Sequence, residues 1–383
     1  MSVEIKKVSS RRDLDKFIQL HYDLYRGNQY DAPNLYSDEL KTLSKDKNSA
    51  FEFCEAEYYL AYRDGKVVGR VAAIINYRYN KQWNRPCVRF GWLDMINDDE
   101  VLRALLTAVE EYGRQKGMKE IIGPLGFTDM DQEGMLTKGF DQLSTMATLY
   151  NFPYYPKLME LMEGYEKDID YVEYKLYVPK EGIPEKFSKI AQMVEKRYNL
   201  HCPDLKRSQV FGPEQYGQKV LDVVNKTFGH LYGYSVMSQK QIDEYVHTYF
   251  KYFSMDMICV IEDWNTPNHD VIGVGITIPS LTKALQKCRN GRLLPFGWWH
   301  ILKALWLKKT DVVDCLLIGI LPEYRKKGAN ALLFYKLIPV YQKYGFLWGE
   351  THVEMETNDK VQSQWVYLEH EQHKRRRCYK KTL

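Results

Sequence analysis

No two of the seven cysteines stand close together. Cys54, Cys87, Cys202, Cys259, Cys288, Cys315 and Cys378 are scattered and odd in number. Neither a zinc-binding CxxC pair nor a disulfide framework is expected, no metal site is expected, and a reducing cytoplasm is the simplest setting. The chain has no apolar run long enough to span a membrane. Its start, MSVEIKKVSSRRDLDKF, is charged where a signal peptide needs an apolar stretch. Phe296 to Leu307 is the most membrane-like segment, but its 12 residues include His300 and Lys303. It cannot cross a bilayer and reads as a packing helix, with peripheral membrane contact the lesser alternative. Charge of one sign is not in large excess either: the net charge is +4, which calls for no specific nucleic acid partner. Gly-x-Ser-x-Gly, Walker and HExxH stretches are absent, so those hydrolase and NTPase classes have no support.

What is present is a 383-residue chain with 45% apolar residues, long enough for two cores. Helical spacing marks residues 11–27, with Ser9 or Ser10 as the cap. Two strand-like runs, 57–63 and 66–77, meet at Asp64-Gly65, a strong hairpin signal. Strand 88–95, a helix over 100–116 capped by Asn97 or Asp98, and strand 120–122 follow. A helix within 151–167 and a strand over 171–178 complete the first half. Pro179 to Pro184 marks a boundary. The second half repeats the order: helices over 183–198, 214–228 and 239–252, strands over 257–262 and 270–279, strand 312–321, a helix, strand 351–356, a helix over 358–370 and a final strand over 377–383. The expected fold is α+β, with an N-terminal domain over 1–180 and a C-terminal domain over 181–383.

Asp311 to Asn330, DVVDCLLIGILPEYRKKGAN, has the recipe for holding a phosphate. A strand ends at Pro322, a basic turn with a glycine follows, and a helix begins, offering unpaired N–H groups at its positive end. An ordinary strand–turn–helix with a solvated turn has the same outline. A second basic cluster, Lys374 to Arg377, suits an anionic ligand as well as it suits solubility.

The stretch from Ile320 to Gly328 resembles the GNAT acyltransferase superfamily, whose cofactor motif runs from a strand into Arg/Gln-x-x-Gly-x-Gly/Ala. Arg325 and Gly328 match, and Asn330 departs from the third position. Gly91 to Met95, Gly123 to Phe127, Asn151 to Tyr155, Pro322 to Gly328 and Glu356 with Asn358 together resemble a bacterial family of N-acetyltransferases, over most of the chain. The resemblance implies tandem GNAT-like domains, each a mixed, mostly antiparallel sheet flanked by helices. It implies acetyl-CoA or another acyl-CoA as donor, with an amine on a small molecule or peptide as acceptor. The donor would be held by Ile318, Ile320, Arg325, Lys326, Lys327, Gly328, Ala329, Asn330 and Asn358. Such proteins polarise the thioester carbonyl with a strand N–H, and Ile320 is the matching position. The equivalent turn of the first half, Asp94 to Glu100, is acidic and would repel a pyrophosphate, so one donor site is expected, in the second half.

Acyl transfer needs a group to take a proton from the amine and one to return a proton to the thiolate. Glu350, Glu354 and Glu356 would share one face of a strand. Glu356 is favoured as catalytic for its place at the strand's end. Tyr367 is the second catalytic candidate, because the superfamily's usual tyrosine position holds Trp365. His370 and His373 have metal-like helical spacing but no third ligand. Asp94, Asp129, Asp131 and Glu133 are placed to meet a cationic substrate or to serve as loop solubility and caps. Two other functions remain open: aminoacyl transfer from tRNA on the same fold, and a catalytically silent binding protein.

Overall fold

A computed structural model describes residues 2–383. Among the described residues, fourteen strands form one continuous sheet. They are β1 (Glu4–Lys7), β2 (Cys54–Arg63), β3 (Lys66–Asn76), β4 (Cys87–Met95), β5 (Glu120–Gly123), β6 (Met135–Lys138) and β7 (Glu166–Tyr177), then β8 (Leu200–His201), β9 (Ile258–Asp263), β10 (Asp270–Pro279), β11 (Val312–Ile320), β12 (Trp348–Thr351), β13 (Glu354–Met355) and β14 (His370–Thr382). The spatial order is β1-β2-β3-β4-β5-β14-β7-β12-β11-β10-β9-β8, with β13 on β7 and β6 on β14. Pairing is mostly antiparallel, and helices pack on the sheet, so the chain is α+β.

Local chemistry explains most elements. Asp64 and Gly65 both take positive φ, 52° and 73°, which is the two-residue turn that matches strand twist. Ser10 caps Arg11–Leu24 and Asp98 caps Asp99–Gln115 by accepting from Asp13 and Val101 N–H groups.

The two halves repeat one plan. In each, an antiparallel hairpin leads to a third strand, a helix crosses the sheet, and the next strand returns parallel to the third: β4 with β5, and β11 with β12. The crossing helices Asp99–Gln115 and Asn330–Tyr344 bury Leu102, Leu105 and Val109, and Leu332, Leu333 and Leu337. Even the partners of the third strands match, since Met95 sits opposite Gly69 and Ile320 opposite Gly273.

Between the halves, chain order and spatial order part. β7, from the first half, pairs with β12, whereas β14, the end of the chain, lies between β5 and β7. The basic cluster 374–377 therefore meets carboxylates rather than an external anion. Asp170 takes Arg375 and Arg377, both at 2.7 Å, and Glu173 takes Arg376 at 2.5 Å and Lys374 at 3.5 Å. Lys374 also pairs with Glu350. These cations lower Glu173's carboxyl to about 2 against the opposing effect of burial.

Several expectations are corrected. The helix expected over 358–370 is a single turn, Asp359–Gln362, and a short 3-10 segment, Trp365–Tyr367. His370 already belongs to β14, seven residues before the expected start, so His370 and His373 do not share a helix face. Four consecutive cations hid that strand, because their countercharges lie on β7. The strand expected over 351–356 is broken. Glu350 lies opposite Lys175, but Glu354 lies opposite Val172, where unbroken pairing would put Val353. The extra residue turns Glu350 to one face and Glu354 and Glu356 to the other. Helix 151–167 shrinks to Tyr154–Met159. Strand β1 and helix Tyr36–Leu43 lie in stretches without a recognised pattern.

A buried charge cluster anchors the first half. His21 lies 3.1 Å from Asp94 and 3.3 Å from Asp31, and Arg70 holds Asp94 at 2.7 Å. Burial opposes charge on His21, but Asp31 and Asp94 override it and raise its pKa from 6.5 to about 10. A raised folded-state value contributes stability that is complete below 6.5 and is lost as pH rises through about 10. His21→Ala should therefore lose roughly 3 kcal/mol near neutrality, with the gap to the parent narrowing between about pH 6 and about pH 9. Urea unfolding at both pH values measures it; an equal gap at both would show that His21 is not held charged.

Candidate active site

β11 and β12 run parallel and pair from Val312–Trp348 to Cys315–Thr351, with one further bond from His352 N–H to the Cys315 carbonyl. Beyond that point the strands diverge. β12 gives way to the His352-Val353 break, while β11 continues to Ile320, paired only with β10. A bulge at Leu316, which the β10 register skips, bends β11 where the divergence starts. Leu321 N–H bonds to Ile272 on β10. Strand alternation therefore turns the Ile318 and Ile320 backbone groups the other way, into the gap that β12 has left. The Ile320 carbonyl there accepts from Arg325 Nε at 2.9 Å. Strand β11 is only half-buried from Cys315 to Ile318 for this reason.

The gap opens into a cavity of about 1460 Å³ that extends across both halves of the chain. Its wall is largely aliphatic and aromatic, including Leu333, Phe334, Leu337, Ile278, Leu281 and Tyr245. Around the β11 mouth the wall becomes cationic. Arg325, Lys326 and Lys360 line it together with Gly328 and Asn330. Burial, followed by the charges of Arg325 and Lys360, lowers the pKa of His230. None of these three cations has a carboxylate partner among the described residues. Helix Asn330–Tyr344 starts here with no side-chain cap, leaving N–H groups at its positive end for an anion. Gly328 has φ +78°, and a Cβ would lie 3.1 Å from Ile190, so the turn needs glycine.

The positions proposed for binding divide. Ile318, Ile320, Arg325, Lys326, Gly328, Asn330 and Asn358 all line the cavity. Ala329 is fully buried in the core beneath the turn. Lys327 lies over the rings of Tyr324 and Tyr198, at 4.2 and 5.5 Å, where the positive end of a side chain is satisfied by aromatic faces. Neither lines the cavity.

Both catalytic candidates change standing. Glu356 is clamped by Arg375 and Lys167 and lies outside the cavity wall. Tyr367 reaches the rim but is exposed, with Lys186 Nζ 3.5 Å from its ring centre. Glu350 is committed to Lys374. Two neighbours in sequence lie inside. Glu354 is buried on the wall, both its oxygens accepting from Trp365 Nε1 at 3.0 and 3.1 Å. Desolvation pushes its carboxyl up to about 8. His352 also lines the cavity, and burial lowers its pKa below 6.5, leaving a neutral imidazole near pH 7. Sequence reasoning passed over His352. Its only signal was a lone histidine between two glutamates on an expected strand. Trp365, noted as a departure from a tyrosine, proves to be the donor that holds Glu354.

The first half contributes an acidic wall. Asp129 and Asp131 are raised by burial to about 7 and about 6, and Glu133 is raised well above its usual range. Glu133 is 4% exposed and its Oε1 has no hydrogen-bond partner. All three, with Asp94, line the cavity. The gap between β4 and β5, by contrast, is filled by the chain itself. Met95, the counterpart of Ile320, gives its N–H to Tyr155 Oη at 3.1 Å and takes Tyr154 Oη on its carbonyl at 2.6 Å.

No family model matches the chain. It is similar to Protein YghO of Escherichia coli strain K12, 24% identical over 99% of this chain and 95% of the relative. It is also similar to the bacterial ceramide synthase of Caulobacter vibrioides strain NA1000 / CB15N, 22% identical over 85% of this chain and 82% of the relative. Among solved structures, a tandem GNAT protein from the clavulanic acid biosynthesis pathway superposes with a TM-score of 0.56, at 13% identity, over 100% of this chain and 98% of that one. A GCN5-related N-acetyltransferase from Sphaerobacter thermophilus gives 0.52, at 11% identity, over 99% and 95%. The chain has the tandem GNAT fold.

The Glu354 environment is open to measurement. Trp365→Phe removes the N–H that favours the charged carboxylate and leaves the burial in place. The Glu354 carboxyl should then titrate above about 8, read from its side-chain ¹³C shift. An unchanged midpoint would mean that the indole N–H does not govern it.

Proposed function

We propose that this protein is an N-acyltransferase that takes an acyl group from acyl-CoA and joins it to the primary amine of a long-chain, lipid-like acceptor. The observation that carries the proposal is the divergence of β11 from β12 into a cavity of about 1460 Å³. That volume exceeds the roughly 300–1,000 Å³ of ordinary ligand pockets, and its aliphatic wall suits hydrocarbon. The name of the Caulobacter relative points the same way, since a ceramide is a fatty amide of a long-chain amino alcohol.

The residues at the gap fit an acyl-CoA. The edge at Ile318 and the Ile320 N–H, which has no strand partner, suits the amide-bearing arm as an added strand would. Arg325, Lys326, Lys360 and the first turn of helix Asn330–Tyr344 suit the phosphates. Acyl-CoA supplies an activated thioester. The Ile320 N–H is oriented to stabilise negative charge on its carbonyl oxygen. Asp129 and Asp131, raised only to about 7 and about 6, attract the acceptor's ammonium group, and Glu133 offers it a hydrogen-bond acceptor. Neutral His352 takes the proton the ammonium must lose, and protonated Glu354 returns one to the departing sulfur. The C–N bond forms as the C–S bond breaks. In the first half, Tyr155 already occupies the Met95 N–H, so that half shapes the acceptor side and holds no donor.

Incubation of the protein with acetyl-, octanoyl- and palmitoyl-CoA and either a long-chain amino alcohol or a water-soluble amine, followed by mass detection of amide, tests this. The long-chain pairs should give the highest kcat/KM. No amide from any pair, with no CoA binding in the millimolar range, would overturn the proposal. His352→Ala and Glu354→Gln should each lose about 10² to 10⁴-fold in kcat/KM, and Glu356→Gln should stay within about twofold. The pH profile should fall on the acid side below 6.5 as His352 protonates, and on the alkaline side near 8 as Glu354 ionises. Glu354→Gln should remove the alkaline limb alone.

A further inference from the structure

One exposed segment of the chain is both aromatic and basic. Among the described residues, seven of the twenty exposed large apolar side chains fall between Leu293 and Leu307. Leu294, Phe296 and Trp306 are 76%, 73% and 67% exposed, and Trp298, Trp299 and Leu307 accompany them. Exposed apolar groups scattered singly need no explanation, but a contiguous set does. The charge around them is of one sign. Ser280 to Thr310 contains seven Lys and Arg and no Asp or Glu. Lys283 alone has a carboxylate partner, Asp311, among the described residues. Arg292 rests over the Tyr36 ring at 4.3 Å and Lys303 lies near Trp299 at 5.5 Å.

The other face of the same segment belongs to the cavity. Helix Gly297–Leu305 turns Ile301, Ala304 and Leu305 inward against Leu281, Leu285 and Met146. Ile301, Leu305 and Leu293 line the cavity wall. The nine-residue helix thus separates the cavity from an outer surface of tryptophan, leucine and uncompensated cations. No helix of the described residues is long and apolar enough to cross a membrane, so a bilayer contact by this segment would be at the surface. Tryptophan and phenylalanine interleaved with lysine and arginine match the boundary between acyl chains and headgroups, and the excess positive charge matches anionic headgroups.

We propose that Leu293–Lys309 docks on the surface of an anionic lipid bilayer, with helix Gly297–Leu305 lying in the headgroup layer. The docked helix places the cavity wall formed by Ile301, Leu305 and Leu293 against the bilayer, so that an apolar ligand passes between the two with little exposure to water. The surface is defined by exposure and charge and does not depend on the acyl-transfer reading.

Flotation of the full chain with vesicles of phosphatidylcholine alone, or of phosphatidylcholine with phosphatidylglycerol, tests the proposal. The protein should float with the anionic vesicles and much less with the neutral ones, with partial release in high salt and a blue shift of tryptophan emission on binding. Trp298→Ser/Trp299→Ser/Trp306→Ser should weaken binding by roughly tenfold or more. Lys303→Glu/Lys309→Glu should do the same by reversing charge, without removing aromatic surface. Circular dichroism and light scattering establish that each variant is folded and report its oligomeric state. Absence of flotation with anionic vesicles, or equal flotation of the folded variants, would overturn the proposal. A parent dimer that dissociates in the tryptophan variant, without vesicle binding, would assign the face to a second copy instead. Acyl transfer to a water-soluble amine should be unchanged in both variants, so failure of docking and failure of the acyl-transfer reading give different results.

Discussion

The exchange of β7 and β14 between the halves is the constraint on which the rest of the molecule depends. Each strand lies beside a strand of the opposite half, and the seam between them is closed by buried charge. Glu173 pairs with Arg376 and Lys374, and Asp170 with Arg375 and Arg377. Removing Glu173 would leave Arg376 charged in the interior without its carboxylate. Such pairs are weak evidence for stability in themselves, because desolvation offsets much of the attraction. With the seam fixed, two GNAT-like halves share a single sheet and enclose a cavity between them.

On that frame the halves have diverged at one equivalent point. In both, a parallel strand pair separates after a few residues and leaves backbone amides without a strand partner. In the first half, tyrosines from Asn151–Met159 fill the opening and satisfy the Met95 amide. In the second, Arg325 Nε donates to the Ile320 carbonyl, and the Ile318 and Ile320 edge otherwise faces a cavity with a cationic mouth. Buried backbone groups must find partners, and the first half has supplied its own from Tyr154 and Tyr155. The single β-bulge after Thr351 then decides the chemistry. It turns Glu350 into the charged seam and Glu354 into the apolar wall, and burial gives two nearby carboxylates opposite shifts: the lysine beside Glu350 keeps it ionised, and desolvation keeps Glu354 protonated near neutrality.

Much of this was legible in the residues. Hairpin, caps, apolar stripes and the RKKG turn were all local signals, and Arg325, Lys326, Gly328 and Asn330 did fall together on the cavity wall. Lys327 and Ala329 did not, because a turn of consecutive residues points in several directions. Glu356 was preferred over Glu354 for its place at the strand's end, and its ion pairs with Arg375 and Lys167 come from residues far away in the sequence. Strand β14 was obscured because His370 to Arg377 is so heavily charged that it reads as a surface, and its countercharges lie some 200 positions earlier in the chain.

The sequence by itself determined the local elements, the α+β class, the repeated order of the halves and the phosphate-favouring turn, because propensity, capping and apolar period act over a few residues. Tertiary structure alone decided which strands would meet, which glutamate would be neutral and what the phosphate-favouring turn would open onto. Those outcomes depend on desolvation and on charge partners brought together from distant positions. A strand–turn–helix that sequence could read equally as an ordinary turn became the mouth of a cavity only when β12 ended at Thr351 and left the edge of β11 uncovered.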